Sequence, residues 1–168
     1  MVSHELPSQA TQFIGRDAEV EKILGLLNDP ACRLLTLMGQ GGIGKTRLSL
    51  EAAQKIFEQH DDIFPQGVIF VPLAPIASAK NIPLAIADAL SIHLNDTNTL
   101  DIQLINHLKD HQLVLVLDNF EHVMDGAKFV SDLLAGTDHV KILVTSRERL
   151  HLTSEQVFIL QGMMIPDS

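Results

Sequence analysis

The sequence predicts a three-layer α/β/α sandwich, with a five-stranded, mainly parallel sheet covered by helices on both faces. Short, almost wholly apolar runs alternate with longer stretches of helical period. One such run enters a glycine cluster that opens a helix, and another stops abruptly on an aspartate, Asp118. A chain of 168 residues with 46% hydrophobic content has the length of one domain and can bury a proper core.

In chain order, residues 1–12 read as a polar leader and residues 13–168 as the folded domain. Residues 16–28 carry Val20, Ile23, Leu24 and Leu27 at helical spacing, and Asn28-Asp29-Pro30 ends that helix. Residues 33–38 form a buried strand leading to Gly39. An amphipathic helix over 45–59 follows, with Leu48, Ala52 and Ile56 four apart. A second strand is expected over 67–73, then helices over 83–94 and 100–110 separated by a polar stretch. Residues 112–117 form a nearly continuous apolar strand, 121–134 a helix, 140–145 a strand and 156–160 a short last strand.

Composition narrows the partners. The 12 Lys and Arg are outnumbered by 21 Asp and Glu, a net charge of −9 with no basic cluster. A surface of that kind does not neutralise phosphates, so direct nucleic-acid binding by this domain is not expected. The longest apolar runs, such as 113–117 and 142–144, fall far below the roughly 20 residues of a membrane span. One cysteine, Cys32, cannot form an internal disulfide and suits a reducing compartment, so a soluble cytoplasmic protein is expected. His107 and His111 have a helical spacing that could hold a metal. A third ligand is missing, and a solvated helix face is the simpler reading.

The chemistry-bearing residues fall in three places. Gly39-Gln40-Gly41-Gly42-Ile43-Gly44-Lys45-Thr46 matches the G-x-x-x-x-G-K-[ST] phosphate-binding loop, with the required strand before it and helix after it. Its glycines let successive N–H groups turn inward without side chains in the way. The helix starting near Lys45 adds the positive end of its dipole. Lys45 is expected to meet the β- and γ-phosphates, and the Thr46 hydroxyl to ligate Mg²⁺. Leu113-Val114-Leu115-Val116-Leu117-Asp118 is the second place. An aspartate at such a strand's end is a common helix cap, but about 70 residues after a phosphate loop it reads as the residue holding magnesium. The third is the strand Lys141-Ile142-Leu143-Val144-Thr145-Ser146-Arg147. Its exit lies on the rim where open α/β sheets bind ligands. On spacing alone, Arg147 fits a phosphate-sensing guanidinium and a surface arginine in an Arg-Glu-Arg run equally well.

Together with Phe13-Ile14-Gly15-Arg16, these segments resemble the nucleotide-binding domain of STAND ATPases, the signalling group that includes the NB-ARC domains. The closest resemblance is to the bacterial branch attached to transcriptional regulators, carried by Leu117-Asp118-Asn119-Phe120-Glu121-His122 and Thr145-Ser146-Arg147-Glu148-Arg149-Leu150. The similarity runs from about residue 11 to the end. It implies a P-loop NTPase fold with the strands, numbered in chain order, arranged 5-1-4-3-2. It also implies ATP or ADP with Mg²⁺ as ligands. Phe13, Ile14, Gly15 and Arg16 would then cradle adenine. Gly39, Gly41, Gly42, Ile43, Gly44, Lys45, Thr46 and Arg47 would surround the phosphates, and Thr46 and Asp118 would hold the metal. Lys45, Asp118 and Arg147 would be the residues of hydrolysis, with Arg147 as the arginine that distinguishes ATP from ADP.

The resemblance further implies partners outside this stretch: a helical lid, a winged-helix domain and helical repeats, with self-association in the ATP state. Residues 162–166 match the start of the junction into the lid. Asn119 replaces the water-polarising glutamate of fast ATPases. Glu121 nearby could substitute, although a glutamate in a helix's first turn is also favoured by the dipole. The function expected is a slow ATP/ADP switch in a multidomain regulator. A non-hydrolysing nucleotide-binding scaffold is the alternative. A P-loop small-molecule kinase is less suited, because no Lys or Arg follows Leu150.

Overall fold

The backbone of the fold is a sheet whose strands, apart from the edge strand at residues 155–159, are largely buried on both sides. The computed structural model describes residues 16–40, 44–59, 62–95 and 99–160. The strands are β1 (Leu34–Met38), β2 (Val68–Pro72), β3 (Val114–Asp118), β4 (Lys141–Ser146) and β5 (Glu155–Ile159). They lie in the order β2-β3-β4-β1-β5, and every pairing is parallel. Counted from the β5 edge this is 5-1-4-3-2, the succession expected from the sequence. Phe13, Ile14, Gly15, Gly41, Gly42, Ile43 and the junction at 162–166 lie outside the described residues.

Strand side chains alternate between faces, and here the two faces feed two cores. Leu115, Leu117, Ile142 and Val144 pack with α3 (Ile82–Ala89), α4 (Leu100–Leu108) and α5 (Ala127–Gly136). Val114, Val116, Leu143, Leu35 and Leu37 pack instead with α1 (Asp17–Asn28) and α2 (Lys45–Gln59). That is why 113–117 reads as an unbroken apolar run rather than an alternating one.

Two helices differ from the sequence expectation. The helix expected over 83–94 stops at Ala89. Ser91 takes a left-handed conformation (φ 57°), and the Ile92 amide turns back to Ala87 O at 2.8 Å. Ile92 and Leu94 still pack on the core, so their apolar spacing reflects burial of a turn. The single helix expected over 121–134 is divided. A 3₁₀ segment, Phe120–Gly126, is interrupted at Val123 (φ −138°, ψ 44°), and α5 starts only afterwards. Gly126 permits this approach, since a Cβ there would stand 2.3 Å from Ile82 Cδ1.

Two cations hold the sheet's amino end, opposite Gly39. The buried Lys141 ammonium donates to Leu27 O and to Asp29 O (2.7 Å), satisfying carbonyls at the end of α1. Arg33 donates to Leu134 O (3.2 Å), Thr137 O (2.9 Å) and Val140 O (3.1 and 3.0 Å), tying the α5–β4 connection to β1. Arg33→Ala is expected to cost about 2 kcal/mol by stripping those carbonyls of a charged donor. Thermal melting should show it as a drop of roughly 4–8 °C.

Candidate functional site

The carboxyl ends of β1, β3 and β4 meet on one rim. The Gly39 amide donates to Ser146 O (3.2 Å), which joins the exit of β1 to that of β4. Gly44 then adopts φ 92°, a region that L side chains avoid, and accepts the Leu48 amide at 2.9 Å as the first helical bond of α2. Lys45 therefore stands at the helix's start, with Thr46 and Arg47 in its first turn.

Lys45 is 7% exposed, and its ammonium folds back onto the loop, donating to Gly39 O (2.6 Å) and Gln40 O (2.9 Å). Burial holds its pKa below the ordinary lysine value. The charges of Glu121 and Asp118 oppose that shift, and Arg147 adds to it. Lys45 thus feels the charges of all three groups, although Arg147 itself is exposed.

Asp118, 3% exposed, ends β3 beside this helix start. Thr46 Oγ1 donates to Asp118 Oδ1 (2.9 Å) and lies 3.1 Å from Oδ2. Thr145 Oγ1 donates to the same Oδ1 at 2.6 Å. Asn119 then turns left-handed (φ 64°, ψ 48°), its amide donating to Thr145 Oγ1 at 2.9 Å. That turn carries Glu121 round to the exit of β4, where its Oε1 accepts the Arg147 amide at 3.1 Å.

Of the residues expected at the site, Gly39, Gly44, Lys45, Thr46, Asp118 and Arg147 gather on this rim. Arg16 lies just before α1, buried, with Nη1 at 2.9 and 3.0 Å from the two Glu19 oxygens. His107 and His111 lie apart from the rim, at the end of α4, with ring centroids 5.4 Å apart. No group of three or more His, Cys, Asp or Glu suited to a metal occurs among the described residues. The oxygen donors Thr46 and Asp118 suit a hard cation such as Mg²⁺, which takes few protein ligands and shares the rest with phosphates and water.

The sequence pattern did not single out Thr145 as a partner of Asp118. Nor did it foresee Glu155, whose carboxylate accepts the Thr36 hydroxyl (2.6 Å) and the amides of Leu150 (2.7 Å) and His151 (3.0 Å). That carboxylate shapes the turn after the Arg147 segment. The polar run Thr145-Ser146 at the end of an apolar strand was the visible sign of the first.

This sheet order and strand–loop–helix geometry define the class of P-loop nucleotide-binding proteins. The profile of the NB-ARC domain matches residues 16–157, and the chain belongs to the NB-ARC family. It is similar to an uncharacterized protein of Mycobacterium tuberculosis, 31% identical over 155 residues, spanning 92% of this chain and 38% of that one. A second M. tuberculosis relative, named for HTH-type transcriptional regulators, is 34% identical over 136 residues, 80% of this chain and 15% of its own. The chain thus spans well under half the length of these relatives. Among solved structures, Cdc6p from Pyrobaculum aerophilum aligns with a TM-score of 0.62 at 18% identity, covering 95% of this chain and 47% of that one. The ADP form of Aeropyrum pernix ORC2 aligns with a TM-score of 0.64 at 15% identity, covering 92% and 50%. At those identities the likeness concerns the fold. No helix among the described residues is long and apolar enough to cross a membrane.

Proposed function

We propose that this chain is an ATP/ADP-responsive switch module, of the kind found in STAND signalling proteins, that hydrolyses Mg-ATP slowly within a longer regulator. The observation that carries the reading is the convergence of Lys45, the Thr46–Asp118 pair and Arg147 at the start of α2. An entering phosphate would offer the Lys45 ammonium a better partner than the two loop carbonyls that now hold it. Thr46 and Asp118 would hold Mg²⁺, which supplies charge neutralisation between the β- and γ-phosphates. Arg147 follows β4 on the same rim, its amide held by Glu121, and in this reading its guanidinium would respond to the γ-phosphate.

Slow turnover follows from the residues after Asp118. Asn119 cannot accept a proton, and one oxygen of Glu121 is already committed to the Arg147 amide. Phosphate release below about one turnover per second, the low end for enzymes, is expected. The relatives named for transcriptional regulation, and the WD repeat-containing protein of Nostoc that is 27% identical over 162 residues, support a module within a larger protein. The A. pernix ORC2 protein, a neighbour in fold solved in an ADP form, supports the ligand class.

The first measurement is thermal melting with and without ADP and Mg-ATP. With no Trp or Tyr in the chain, circular dichroism or calorimetry is the suitable probe. At about 100 times its dissociation constant a ligand adds roughly 2.7 kcal/mol, a rise of roughly 5–10 °C here. Melting curves indifferent to both nucleotides at millimolar concentration would sink the proposal.

A further inference from the structure

The β3–β4 ladder ends at Leu117↔Val144. One residue further on, side chains take over the connection. The Thr145 hydroxyl donates its single proton to Asp118 Oδ1 (2.6 Å) and accepts the Asn119 amide (2.9 Å), so both its roles are used and its orientation is determined. Thr145 is fully buried, whereas Thr46, the other hydroxyl on this carboxylate, is exposed. The two hydroxyls therefore differ in what they can do. Thr46 can rotate its proton away and turn a lone pair towards a cation, while Thr145 has no such freedom.

We propose that Thr145 is a positioning residue for the metal-holding carboxylate. It pins Asp118 Oδ1 from beneath the rim. Oδ2, which among the described residues is met by the Thr46 hydroxyl alone, is left to face the magnesium of a bound nucleotide. The inference rests on the Mg-nucleotide reading above and adds to it a buried partner that sets the carboxylate's aim. A carboxylate free to rotate would meet the metal's hydration shell in several orientations, and second partners of this kind typically matter by about tenfold or more in metal affinity.

Thr145→Val keeps the β-branched shape suited to a strand and removes the hydroxyl. The test is calorimetric: the Mg²⁺ concentration that half-saturates ATP binding, and separately the affinity for ADP in EDTA. Thr145→Val should raise the half-saturating Mg²⁺ about tenfold while metal-free ADP binding stays within about twofold, and Thr145→Ser should restore the native value. Equal weakening of both titrations, or no change in either, would overturn the inference and leave Thr145 a structural strand residue. If the unaltered chain bound ATP with no dependence on Mg²⁺, the nucleotide reading would fall first, and this inference with it. Should Thr145→Val lose its native circular dichroism, Thr145→Ala is read by the same two titrations against Thr145→Ser.

Discussion

Lys45→Ala is expected to erase the nucleotide-dependent rise in melting temperature while leaving the unliganded protein about as stable as before. The ammonium is the cation that, among the described residues of the loop, is held on the loop's own carbonyls. Its loss should remove the whole nucleotide-dependent shift, roughly 2.7 kcal/mol at the ligand excess used. Two opposing effects explain why the unliganded fold tolerates the change. The side chain is buried and its pKa is depressed by that burial, so folding around a charged Lys45 is unfavourable at neutral pH. Against this, Gly39 O and Gln40 O lose a donor, which water can replace at the rim. The sign with pH follows from linkage. Between the depressed folded value and the ordinary lysine value near 10.4, the unfolded chain binds more protons than the folded one. Lys45's share of stability therefore rises as pH rises through that alkaline window, and Lys45→Ala should flatten that share in melts taken at alkaline pH, below the ordinary lysine value. Retained nucleotide stabilisation in Lys45→Ala would remove the basis for assigning this loop to phosphate.

Much of the architecture was legible because its determinants are local. Strands such as Val114–Asp118 are buried on both faces, and that burial demands an unbroken apolar run in a chain otherwise rich in acidic residues. The phosphate loop was legible for a similar reason: Gly44 needs φ 92°, and Lys45 and Thr46 must follow it in the first turn of a helix. What escaped depends on contacts between distant residues. The break at Asn119–Gly126 needs Ile82 of α3 close against Gly126, a contact that helical periodicity over 121–134 cannot reveal. The early end of α3 follows from Ser91 turning left-handed, while Ile92 and Leu94 remain on the core and imitate a continuing helix. At the candidate site, Lys45, Thr46 and Asp118 were singled out by their motifs, and the fold brings them together. Thr145 and Glu121 act across the gap between two strands, where no spacing rule applies. The relation of Arg147 to the site has the same character. Its backbone is held by Glu121, and its charge reaches Lys45 across the sheet.

Asp118→Asn should separate the two nucleotides more sharply than any other single change. Asparagine keeps the carboxylate's shape and can still accept the Thr145 hydroxyl, so the β3–β4 connection survives. What disappears is the negative charge, which sits 3% exposed at the end of a strand with two hydroxyls donating to it. Removing a buried charge whose hydrogen-bond partners are both neutral hydroxyls should cost the unliganded fold little. Binding of Mg-ATP should suffer by contrast, because the amide offers a weak, neutral ligand to a hard cation that favours carboxylate oxygen. A loss of about 100-fold, roughly 2.7 kcal/mol, is expected for Mg-ATP. ADP in EDTA, which makes no use of the metal, should lose less than about threefold. Calorimetric titration of both ligands into the native chain and Asp118→Asn gives the ratio directly. A ratio near one would make Asp118 a structural cap at the end of β3. A ratio of about 100 would mean that the carboxylate's charge acts through the cation, and that the two hydroxyls gathered on it serve to aim it.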